Sequence, residues 1–82
     1  MSDVAARVKK VIVKQLNVKA EEVTPDASIR NDLGADDIDV TELIMALGDE
    51  FGTEIPDEES EQMTKVGTIV KYFDKYLDSV DA

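Results

Sequence analysis

Three stripes of apolar residues, each at helical spacing, constrain this chain more than any other feature in it. Val4, Val8, Val11, Ile12 and Leu16 recur at intervals of four, three, one and four. Val40, Leu43, Ile44, Leu47 and Phe51 form a second such set, and Val66, Ile69, Val70, Phe73 and Leu77 a third. That spacing places each set on one face of a helix of about 3.6 residues per turn. No alternating run is long enough to read as a strand. The stripes predict helices over residues 3–16, 37–51 and 66–77, each needing the others to cover its apolar face.

The connections carry their own signals. Ser2 or Asp3 suits the cap of the first helix and Asn17 its exit. Residues 18–35 read as a long ordered loop, because Thr24-Pro25-Asp26 disfavours helix and Gly34 breaks the chain again, while Val18, Val23, Ala27, Ile29 and Leu33 are apolar enough to tack the loop to a core. Within it, residues 20–23 suit a short helical turn. Gly34 gives freedom for a tight turn, Asp36 is a cap for the next helix, and Asp37 and Asp39 put negative charge where the helix dipole favours it. Pro56 before Asp57-Glu58-Glu59-Ser60 starts a short acidic helix ending near Met63. Gly48 and Gly67 lie inside helices, where each is expected to weaken its turn, by about 1 kcal/mol relative to alanine. Residues 78–82 are expected to fray. The fold class is therefore all-α: a small four-helix bundle, three helices long and one short, with a long ordered loop between the first two.

Eighty-two residues make one small domain, 1–82, with 43% hydrophobic and 34% charged residues, a folded rather than disordered composition. Without cysteine or histidine the chain has no disulfide, no thiolate metal site and no imidazole base. No apolar run approaches membrane-spanning length, and the simplest expectation is a cytoplasmic protein without membrane insertion. The net charge of -10 is unevenly spread: residues 31–64 hold twelve acids and no lysine or arginine, and the remainder sets seven acids against all nine bases. A field of that sign repels nucleic acid and attracts basic protein surfaces. The acidic stretch Asp37-x-Asp39-x-Thr41 is not a calcium loop, since its sixth and twelfth positions are Glu42 and Gly48. No metal site is expected.

Asp32-Leu33-Gly34-Ala35-Asp36-Asp37-Ile38-Asp39, followed by Glu42-Leu43, closely resembles the signature of the acyl carrier proteins, Asp-Leu-Gly-Ala-Asp-Ser-Leu-Asp with Glu-Leu. Phe51-Gly52-Thr53-Glu54-Ile55-Pro56-Asp57-Glu58-Glu59 is similar to that family's segment entering its third helix, and residues 66–72 to its closing helix. The resemblance covers nearly the whole chain and implies a carrier domain of type II fatty acid synthesis, in lipid metabolism. In the family the signature serine carries 4'-phosphopantetheine; here that position is Asp37, which has no hydroxyl to form a phosphodiester. The methyl of Thr41, one turn on, is expected to pack. Either an engineered change blocks the modification, or a natural member has lost the carrier role.

The resemblance also implies a docking face and an acyl pocket. Asp36, Asp39, Glu42, Asp49, Asp57 and Glu61 would meet basic patches on fatty acid synthesis enzymes and on the phosphopantetheinyl transferase, with Met45 and Ile55 as apolar contacts. Leu43, Leu47, Ile55, Met63 and Phe73 would hold an acyl chain, with Ile55 and Met63 near its mouth; read singly, each is ordinary core. The resulting expectation is a monomeric carrier that is not an enzyme and cannot take its arm. The alternative is a regulatory or scaffolding protein that keeps the fold and the docking face.

Overall fold

The computed structural model describes residues 3–81, with side chains described through Leu77. Ser2, one of the two expected caps, and Ala82 lie outside the described residues. Four α-helices follow in order: α1 (Val4–Leu16), α2 (Asp37–Phe51), α3 (Asp57–Ser60) and α4 (Val66–Asp81), with a 3-10 turn at Ala20–Glu22 between the first two. Among the described residues there is no strand, only an isolated antiparallel bridge between Ser28 and Lys65.

The three stripes meet as expected. Val4, Val8 and Ile12 of α1, Leu43, Leu47 and Phe51 of α2, and Val66, Ile69 and Phe73 of α4 are buried in one cluster. Phe73 is its centre, stacked on Phe51 with ring centroids 4.2 Å apart and met edge-on by Tyr72 at 5.0 Å. Burial, then the charge of Glu59, then Tyr76, push the Tyr72 phenol above its ordinary range. Asp3 occupies the α1 cap position but its side chain makes no capping bond, whereas Asn17 ends the helix in the left-handed region at φ 56°. No base lies in the last turn of α2; Arg7 of α1 supplies one. Its Nε donates to Glu50 Oε2 at 2.9 Å, its Nη2 to the Glu50 carbonyl at 2.8 Å, and its guanidinium lies 4.3 Å from the Phe51 ring centroid.

The loop of residues 18–35 is the fold's least regular part and among its best anchored. Val23, Ala27, Ile29, Leu33 and Ala35 are all buried in the core; Val18 only packs against it. A helix leaves its first amide donors without intrahelical partners. In α4 the loop accepts from two of them: Val66 N–H donates to the Ala27 carbonyl at 3.1 Å and Gly67 N–H to the Pro25 carbonyl at 2.9 Å. Ile29 N–H donates in return to the Thr64 carbonyl at 2.9 Å.

Both helical glycines have a use that propensity does not show. A Cβ on Gly48 would sit 2.6 Å from the Thr53 carbonyl oxygen, and one on Gly67 would sit 3.0 Å from that of Pro25. Each lets a neighbouring segment reach the helix backbone, so the expected weakening is offset by packing. The closing helix also runs past Leu77 to Asp81, because no glycine or proline follows to stop it.

Candidate functional site

The site is the start of α2, and its own side chains build it. Asp36 is the N-cap in extended backbone; its Oδ1 accepts from Asp39 N–H at 2.9 Å, and its N–H donates to Asp39 Oδ2 at 3.2 Å. This reciprocal capping box satisfies two orphan donors, with aspartate where glutamate is usual. Gly34, at φ 73°, turns the chain into it. Before the turn, Asp32 Oδ2 accepts from Ser28 N–H at 2.7 Å and Ala35 N–H donates to the Ile29 carbonyl at 3.1 Å, so the approach is fixed by hydrogen bonds as well as by burial.

Asp37 is the first residue of α2 and stands in solvent, its side chain 89% exposed. Its carboxylate pairs with the Arg30 guanidinium across the loop. That partner is not apparent from the helix pattern; the signal for it is that Arg30 is the only base between Lys19 and Lys65. An exposed pair of this kind contributes about 1 kcal/mol or less.

Thr41 is exposed, contrary to the packed methyl expected of it, and its Oγ1 donates to the Asp37 carbonyl at 3.0 Å, bonding back along the helix. Ser28 Oγ accepts from Asn31 N–H at 3.2 Å, and Ser60 Oγ donates to the Asp57 carbonyl at 2.9 Å; neither is at the start of α2.

The acidic residues lie where a partner could reach them. Asp36, Glu42, Asp49, Asp57 and Glu61 are exposed, while Asp39, engaged in the capping box, and Ile55 are half-buried. Met45 is 65% exposed, and Ile38, which the helix pattern places only at the margin of the apolar face, is 70% exposed. Met45, Asp49 and Ile55 come together with Ile44 and Glu54 around a depression of about 350 Å³ at the end of α2. Glu61 and Met63 instead line a second depression of about 260 Å³, with Arg30 and Val40. Leu43, Leu47, Met63 and Phe73 are buried in the shared core, and Ile55 packs against it from outside. Ile55 and Met63 thus line different depressions.

Among the described residues no group of His, Cys, Asp or Glu side chains is arranged to hold a metal ion, and no helix is long and apolar enough to cross a membrane. An ordered loop thus turns at Gly34 into a capped, acid-rich helix start. The family model for the phosphopantetheine attachment site matches residues 6–73. The chain therefore belongs to the phosphopantetheine attachment-site family, carrier domains whose prosthetic group is 4'-phosphopantetheine.

Proposed function

We propose that this chain, over residues 1–82, is an acyl carrier domain of the dissociated fatty acid synthesis type, in a form that cannot receive its arm. The observation that carries this reading is Asp37: it opens α2 at the position that is serine in the signature the stretch resembles, and its side chain ends in a carboxylate paired with Arg30. Transfer of phosphopantetheine from coenzyme A requires a hydroxyl oxygen to displace at phosphorus and form the phosphodiester. A carboxylate provides no such ester, and Thr41, Ser28 and Ser60 make their hydrogen bonds elsewhere. The residues present do not fit the attached group, so the chain acts through its surface rather than as an enzyme.

That surface is the acidic one. Asp36, Asp39, Glu42, Asp49, Asp57 and Glu61, with Met45 and Ile55 between them, dock basic patches on synthesis enzymes and on the transferase in the cytoplasm, the chain acting as a monomer. Support comes from the exposure of most of these groups and from the absence of any base in residues 31–64. The Arg30–Asp37 pair favours a second reading, a scaffold that keeps the docking face, because it accommodates aspartate as a settled part of the helix start.

Intact-mass measurement after incubation with coenzyme A and a phosphopantetheinyl transferase tests the proposal. The chain as it stands should gain no mass, and Asp37→Ser should gain one arm. Modification of the unaltered chain overturns the blocked-carrier reading; an Asp37→Ser variant that folds and stays unmodified favours the scaffold.

A further inference from the structure

On the side of the molecule built by α1, the loop and α4, a groove of about 530 Å³ has apolar walls. Ala5 and Ala6 form one wall, Val70 the other, and Val23 and Pro25 close the end contributed by the loop. Its depth follows from residue size: two alanines face the opening of α1, and Gly67 lets Pro25 come close against α4. The Pro25 carbonyl bond to Gly67 N–H fixes that floor in place. The volume falls in the range of about 300–1,000 Å³ typical of small-molecule sites.

Two cations line the same groove, Lys9 from α1 and Lys71 from α4, and no carboxylate does. Neither lysine has an ion-pair partner among the described residues. In a chain of net charge -10 this is a local reversal of sign beside the largest apolar concavity described above. An apolar trough with unpaired ammonium groups matches a ligand with a hydrocarbon chain and an anionic head: the chain removes the alanine and valine surface from water, and the head meets Lys9 and Lys71.

We propose that this groove is a non-covalent binding site for a single-chain anionic amphiphile of the alkyl carboxylate class. The site is separate from the start of α2 and does not depend on what stands at position 37. Its walls are α1, the loop and α4, whereas the residues expected to hold a tethered chain centre on α2, Ile55 and Met63.

Titration of the full chain with decanoate, kept below its micelle-forming concentration and followed by backbone amide shifts, tests it. Shifts should saturate and concentrate at Ala5, Ala6, Lys9, Gly67 and Val70. Lys71→Glu should weaken binding about fivefold or more, since it turns attraction into repulsion at a partly desolvated head. Ala6→Leu, which keeps a good helix former at an exposed position, should weaken it by filling the trough. Decyltrimethylammonium, with the same chain and opposite charge, should leave these amides unmoved. Shifts centred on Ile55 or Met63, equal response to both detergents, or binding to phosphatidylglycerol vesicles without binding of free decanoate would each overturn the proposal, the last in favour of a membrane surface. An unaffected Lys71→Glu titration would do the same.

Discussion

The two long helices that follow the loop begin in opposite ways. α2 begins with groups from its own first turn: Asp36 and Asp39 exchange hydrogen bonds three residues apart. α4 begins with groups from far away, since the carbonyls of Pro25 and Ala27, about forty residues earlier in the chain, accept from Gly67 and Val66. Both solutions satisfy the same orphan amides. The local one leaves the α2 start free to face solvent, whereas the distant one binds the α4 start, the loop and the groove floor into one unit.

The comparison is broken hardest at Ile29, the loop residue that links both features through its buried side chain and its bond to Thr64. Ile29→Ala should destabilise the protein by about 2–5 kcal/mol in chemical denaturation, the usual range for truncating a fully buried aliphatic residue. Amide protection should be lost at Val66 and Gly67. A loss below 1 kcal/mol with those amides still protected would mean that the loop is an accessory to α4 and not its cap.

A smaller perturbation sharpens the contrast at Gly67. Gly67→Val forces a branched side chain toward the Pro25 carbonyl, where even a Cβ would sit at 3.0 Å. Overpacking of this kind costs about 1–3 kcal/mol. The change should appear in the loop as well as in α4, read as amide shifts spreading from Gly67 to residues 23–29. Shifts confined to residues 66–70 would show that the loop does not depend on this contact.

The α2 start should give the smallest and most local response. Asp36→Ala removes one half of the capping box and should cost about 0.5–2 kcal/mol. Faster amide exchange should be limited to residues 37–40, with the loop and α4 unchanged. Spread of the effect to Val66 would contradict the view that this start is self-contained.

These differences also explain what could be read from the chain in advance. The stripes located α1 and α2 to within a residue, because a helix face repeats within a few residues. The Asp36 cap and the Asn17 and Gly34 turns were legible for the same reason: each acts on backbone next to it. The resemblance to the carrier signature around Gly34 and Asp36 was equally visible, as was the aspartate at position 37. The roles of Gly48 and Gly67 were not. Propensity assigns each glycine a penalty, and only the approach of Thr53 and Pro25 shows what the missing Cβ makes possible.

The sequence by itself determined the all-helical class, the acidic stretch and the carboxylate at residue 37, since periodicity, charge and side-chain chemistry are properties of single residues and short windows. Tertiary structure alone decided that Arg30 pairs with Asp37, that Arg7 closes the end of α2, that Ile55 and Met63 line different depressions, and that Lys9 and Lys71 share a groove. Each of these joins residues from different parts of the chain, and such distances are set by how the buried faces pack together.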